Sequence, residues 1–273
     1  MLLRALIFLC LAAPALAWAD VELHLDGDIV QGGMVLGTTE VGAKVTLGDR
    51  PVRVSPDGRF VFGFGRDVTG EVALDVHFPN GDDFTRTLKI ATRDYAIERV
   101  DGLPSKMVTP PANVLARIKR ENKGIAEVRA LDTPETWFAE PFVWPALGRV
   151  SGVYGSQRVL NGKPRRPHFG LDVAAKVGTP VTAPAGGIVA LAETDLYYTG
   201  GTVMIDHGHG ITSVFSHLSS VDTAVGTKVA PGDLIGAIGA TGRATGPHLD
   251  WRGNWFAVRL DPQRLLGPMP GAP

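Results

Sequence analysis

Five of the seven histidines fall between residues 168 and 248, interleaved with aspartates at short spacings. His168-Phe-Gly-Leu-Asp172 sets an imidazole and a carboxylate four residues apart. His217 follows in Ser216-His217-Leu218, and His248-Leu-Asp250 places a second such pair two apart. Imidazole nitrogen and carboxylate oxygen are the donors that hold zinc tetrahedrally, with one position left for water in a catalytic site. On a strand, residues i and i+2 point to one side, so His248 and Asp250 share a face and His217 can arrive from a neighbouring strand. His168 and Asp172 are not at strand spacing and converge only if the chain bends at Gly170, whose backbone freedom permits it. Spacing alone leaves open a metal centre and a scatter of separately satisfied histidines. His207 and His209 flank glycines in a hairpin turn, which accounts for them better than metal binding does.

The elements that must carry these residues read as strands. After His168–Asp172 come apolar runs at 186–193, 202–206 and 211–217, a Pro231-Gly232-Asp233 turn into 234–239, and a last strand from His248. Residues 20–92 also read as β. Val41–Leu47 alternates, the turns Gly48-Asp49-Arg50 and Pro56-Asp57-Gly58 come next, and about seven short strands fit a small sandwich. This region resembles bacterial immunoglobulin-like modules. Between the two lies a connector, residues 93–145. Thr109-Pro110-Pro111 starts a helix with proline at its first position, and Val114, Leu115, Ile118, Ile125 and Val128 recur along one face. The segment from Thr133 to Pro145 is an extended arm whose aromatics either pack on the C-terminal region, the favoured reading, or line a groove. The expected fold is therefore all-β: a small N-terminal Ig-like sandwich (20–92), a connector with one helix (93–145) and a C-terminal antiparallel β region (146–273).

The first 19 residues read as an export signal. Arg4 supplies the charge, Ala5–Ala13 is apolar, and Ala15-Leu16-Ala17 or Ala17-Trp18-Ala19 offers the cleavage site. Nine apolar residues fall short of the roughly 20 that span a bilayer, and the mature chain is expected to have no membrane span. The single cysteine, Cys10, lies inside the signal, so no disulfide is expected. With 27 basic against 28 acidic residues, the net charge of −1 argues against a nucleic-acid partner. At 44 % apolar and 20 % charged residues the chain has the composition of a folded protein. An exported, periplasmic or cell-wall-associated location is expected from the signal.

The motifs His168-x-x-x-Asp172, Ser216-His217-Leu218 and Gly246-Pro-His248-Leu-Asp250 resemble the lysostaphin/LytM-type zinc endopeptidases. Gly178-Thr179-Pro180-Val181-x-Ala183-Pro184 and Val225-Gly226-x-x-Val229-x-x-Gly232-x-x-Ile235-Gly236 fit the same family, in the same order. The resemblance implies an antiparallel β fold with a narrow groove, Zn²⁺ as cofactor and the peptide part of peptidoglycan as substrate. It makes His168 and Asp172 metal ligands and gives His217 and His248 the acid/base and oxyanion-stabilising roles. Tyr154 lies where the family enters its groove, and Arg166 and Arg243 could pair with stem-peptide carboxylates. Asp250 departs from the family, which has histidine there. As a third ligand it would bring two carboxylates to the zinc, cancelling its formal charge and weakening it as a Lewis acid. Asp250→Ala is then expected to lose metal, and Asp250→His to keep or tighten it. The alternatives are a non-catalytic binder that activates a separate wall amidase, and a peptidase acting on a Gly-rich protein.

Overall fold

The computed structural model describes residues 23–103 and 105–270. The expected export signal lies outside the described residues.

Seven strands between His24 and Lys89 form two sheets. One has three strands: His24–Gly27, Met34–Thr38 and Arg59–Gly63. The other has four: Arg50–Val52, Lys44–Leu47, Glu71–His77 and Asp83–Lys89. Alternation along Glu71–His77 sends Leu74 and Val76 inward, and Phe60, Phe62 and Leu88 meet them. This cluster does not stop at the end of the N-terminal strands. It continues through Leu260, Phe215 and Trp251 to Leu171, so the small sheets and the C-terminal sheet close over one core. The polar ties across this junction include Arg93 to the buried Asp261 at 2.7 Å, and Arg66 Nε donating to the Gly155 carbonyl at 2.7 Å.

The connector differs from its sequence reading in several respects, among them a second, one-turn helix at Ser105–Val108 and a 3-10 turn at Trp137–Ala139 within the arm. Ile97–Val100 is a strand, paired in parallel with Gln157–Leu160, which pairs on its other side with Lys163–Pro164. The helix runs Ala112–Arg129 with Pro111 as its N-cap, one position earlier than the first helical residue. Only the far end of its apolar face packs. Ile125 and Val128 are buried with Met204 and Val214, whereas Leu115 stays half exposed. The aromatic arm packs as the sequence suggests: Phe138 and Phe142 are buried, their rings against His209 and His207.

The C-terminal sheet has ten strands. Its main path runs Lys228–Val229, Gly187–Leu196, Gly200–Gly208, Ile211–Val221, His248–Trp255, Leu171–Ala174 and Arg149–Gly152, each pair antiparallel. Gly200–Gly208 is buried along its whole length, as a central strand covered on both faces must be. Among the described residues, no helix is long and apolar enough to cross a membrane.

Candidate metal and catalytic site

Three neighbouring strands bring the chemistry together. Asp172 on Leu171–Ala174 lies directly opposite Asp250 on His248–Trp255, and Asp250 in turn lies opposite Ser216 on Ile211–Val221. His168 precedes the first of these strands and is joined to Asp172 through the Gly170 bend. Gly170 is required for its smallness. A Cβ there would sit 2.4 Å from Asp250 Oδ1 and 2.8 Å from the Trp251 carbonyl oxygen. One ligand atom from each of His168, Asp172 and Asp250 falls within 4.8 Å of the others, and all three residues are buried.

The donor set fits a metal ion. Both ring nitrogens of His168 and Asp172 Oδ1 are buried without a hydrogen-bond partner. His168 Nε2 and Asp172 Oδ1 are 3.1 Å apart without hydrogen-bond geometry, a separation that two ligands of one tetrahedral ion also adopt. Buried polar atoms without partners are rare, and a bound ion is one of the recognised explanations.

His217 and His248 face each other beside this cluster, ring centroids 4.8 Å apart. The strand that brings His217 carries a bulge. Between the pairs Phe215–Val203 and Leu218–Gly201, two residues oppose one. His217 takes φ = 68°, the left-handed region. A bulge re-aims a side chain, and a non-glycine residue held at positive φ is strain of the kind that collects at functional sites. Both rings donate from Nδ1 to a carbonyl, His217 to Thr241 at 2.8 Å and His248 to Gly246 at 2.9 Å. A carbonyl only accepts, so each ring carries a proton on Nδ1, and a neutral ring held this way has its lone pair on Nε2. Burial pushes the His217 imidazole down to about 4, which keeps it neutral near pH 7.

Two arginines that sequence reasoning passed over hold the carboxylates. Arg158 Nη2 donates to Asp172 Oδ2 at 2.7 Å, and its Nε reaches Glu98 at 3.2 Å. Arg252 grips Asp250 through a fork: Nε lies 2.9 Å from Oδ1 and 3.1 Å from Oδ2, and Nη2 is 2.5 Å from Oδ2. Burial alone would raise both aspartates. For Asp172 the Asp250 charge adds to that, but His168 and Arg158 outweigh both and leave it below its ordinary value. For Asp250 the Arg252 guanidinium dominates and holds it well below the usual carboxylate range. Arg252 was legible in principle, since it follows Asp250 by two on one strand and shares its face. Nothing local to Arg158 or Glu98 points to the site.

A groove of about 360 Å³ opens over this centre, lined by Asp172, His217, His248 and Arg243, with Glu98 and Leu103 from the connector on its wall. Of the residues expected to touch substrate, only Arg243 lines it. Arg166 is exposed elsewhere on the surface. Tyr154 is a correction: it is 2 % exposed, its ring packs against Tyr95 and Phe169, and its hydroxyl donates to the Arg259 carbonyl at 2.8 Å. It is a packing residue with a satisfied hydroxyl. His207 is a strand residue, fully buried between the Gly186 carbonyl and Ser213; His209 takes the turn position at φ = 49°.

The family model of peptidase family M23 matches residues 166–262. The DD-carboxypeptidase/endopeptidase Mpg of Neisseria meningitidis serogroup B is 36 % identical over 131 residues, covering 48 % of this chain and 29 % of that protein. The peptidoglycan DD-endopeptidase ShyA of Vibrio cholerae is 41 % identical over 85 residues, covering 31 % of this chain and 20 % of that protein. The chain thus spans less than a third of the length of either relative. A crystal structure of a candidate M23 peptidase from Pseudomonas aeruginosa superposes with a TM-score of 0.69 at 29 % identity, covering 88 % of this chain and 96 % of that one. That overlap takes in the N-terminal sheets as well as the large sheet. Residues 166–262, the stretch that carries His168, Asp172, His217, His248 and Asp250, are thus a peptidase family M23 domain by their match to that family's model.

Proposed function

We propose that this chain is a zinc-dependent endopeptidase that hydrolyses peptide bonds of peptidoglycan during cell-wall remodelling, acting after export in the periplasm or cell wall. The observation that carries the reading is the conjunction of His217 and His248, each tied through Nδ1 to a carbonyl, beside a buried His168–Asp172–Asp250 donor set. His168, Asp172 and Asp250 would hold the metal. When bound, zinc supplies Lewis-acid polarisation of the scissile carbonyl and of a water. The protein's own groups do the rest. A neutral imidazole Nε2 accepts the proton released as water attacks, becomes a cation beside the developing oxyanion, and returns the proton to the leaving amine. Hydrogen bonds to Thr241 and Gly246 keep both rings in the tautomer this requires. Arg243, on the groove wall, is suited to a carboxylate of the stem peptide.

The hold of Arg252 on Asp250 favours a second reading, a non-catalytic groove that binds peptidoglycan and activates a wall amidase. Mpg and ShyA are both named as endopeptidases, and that favours the enzyme. Digestion of purified sacculi by residues 20–273, with zinc, with chelator and with His217→Ala, separates the two. Zinc-dependent peptide fragments absent from the variant support the enzyme. Sacculi left intact by folded, zinc-loaded protein refute it.

A further inference from the structure

The metal-ligand position that departs from the family, Asp250, is not a bare carboxylate. We infer that Arg252 is its built-in counter-charge, so that Asp250 and Arg252 together act as one neutral ligand and Arg252 sets the metal affinity of the centre. This rests on the proposed metal site and concerns how that site is tuned.

Asp172 and Asp250 are directly opposed across two antiparallel strands, where like charges repel. Each has its own guanidinium: Arg158 on Asp172, shared with Glu98, and Arg252 on Asp250. Among these five groups, three carboxylates against two guanidiniums leave one net negative charge. A neutral-His, neutral-His, Asp ligand set carries the same. The expectation of a charge-cancelled, weakened metal therefore counts the second carboxylate without its partner.

The two arginines are not equivalent. Arg158 leaves Asp172 Oδ1 without a partner, whereas Arg252 contacts both oxygens of Asp250. A carboxylate oxygen has two lone pairs, so Asp250 can share an oxygen between the arginine and an ion. The arginine then stays within a few ångströms of a divalent cation, and that repulsion is a standing cost to binding. At an effective dielectric of about 20 and a separation of roughly 6 Å, it exceeds a tenfold effect on affinity.

Zinc affinity, measured at pH 7.5 by competition with a chromophoric chelator, tests this without any reading of activity. Arg252→Gln is expected to bind zinc at least tenfold tighter than the unmodified chain. Arg252→Lys, which keeps the charge, should stay within about threefold of it. Asp250→His, which strips Arg252 of its partner and leaves an uncompensated cation at the ion, should bind at least tenfold weaker, the reverse of the expectation from sequence. Equal or weaker binding by a folded Arg252→Gln overturns the inference and leaves the metal site standing. So does a lysine variant that tightens as much as the glutamine one. Should the glutamine variant fail to fold, tighter zinc binding by Asp250→His overturns it. Zinc held by Arg252→Gln and not by the unmodified chain supports the counter-charge while overturning the metallopeptidase reading. Zinc held by none of them overturns both.

Discussion

His207 sits on the core face behind the site and allows a quantitative pH prediction. Its ring is fully buried, with Nδ1 2.6 Å from the Gly186 carbonyl and Nε2 2.9 Å from Ser213 Oγ. The carbonyl must accept, so Nδ1 carries the proton and Nε2 accepts from the serine hydroxyl; that hydroxyl oxygen also accepts from Trp251 Nε1 at 3.2 Å. Every polar atom is satisfied with the ring neutral, and burial pushes its pKa from 6.5 down to about 4. Between those values the unfolded chain holds a proton that the folded chain does not. Stability is fully present above pH 6.5 and falls as pH drops towards 4. A shift of that size is worth about 3 kcal/mol in all, and about 2 kcal/mol of it is lost between pH 7.5 and pH 5. His217, also at about 4, adds a loss of the same sign, so the test needs a variant at one site. Urea denaturation followed by tryptophan fluorescence, on the unmodified chain and on His207→Gln, gives two curves of unfolding free energy against pH. Whatever the variant costs at pH 7.5, its curve should be flatter by about 2 kcal/mol over that interval. Parallel curves would refute the reasoning.

Three further outcomes are expected at and around the site. His248→Ala should lower kcat on peptidoglycan fragments by a factor of about 10² to 10⁴ while zinc content, read by atomic emission, stays at the unmodified level; metal lost along with rate would make His248 a ligand instead. Gly170→Ala drives a methyl to within 2.4 Å of Asp250 Oδ1, so it should destabilise by about 1–3 kcal/mol and weaken zinc binding, and an alanine variant with native affinity would show the bend has slack. Tyr154→Phe removes only a hydrogen bond to a backbone carbonyl and should cost about 1 kcal/mol of stability with KM unchanged, whereas a raised KM would return Tyr154 to the groove.

The sequence made the large sheet legible because its strands are apolar runs between glycine turns, and such runs have few alternatives. His248 and Asp250 were readable as neighbours on one face because strand periodicity is two. His217 was readable as a residue and not as a geometry. Its bulge depends on a register slip against Gly201 and Val203, and register is a property of two strands rather than one. Ile97–Val100 escaped for the same reason: with only four residues and two charges among them, it becomes a strand by pairing with Gln157–Leu160. Tyr154 went wrong because an aromatic beside a groove motif looks the same whether it lines the groove or props it from behind. Its burial against Tyr95 and Phe169, with the hydroxyl donating to the Arg259 carbonyl, decides between them.

The strand His248–Trp255 shows how one alternation serves two purposes. Its even-numbered residues, His248, Asp250 and Arg252, carry the proposed proton carrier, third ligand and counter-charge on one face. Its odd-numbered residues, Leu249 and Trp251, are fully buried on the other. Trp251 stacks on Phe215 and donates to Ser213, itself held by His207, so the strand is anchored from behind by packing and a side-chain hydrogen bond. This anchoring lets opposed carboxylates stand at the site, because charge repulsion there works against a strand that cannot slide. A slip of one residue would exchange the faces, burying Asp250 and Arg252 in the apolar core and turning Leu249 and Trp251 to the groove. Fold and site therefore select the same register, and a substitution that loosens Trp251 should weaken zinc binding, read by chelator competition, without altering any of the proposed ligands.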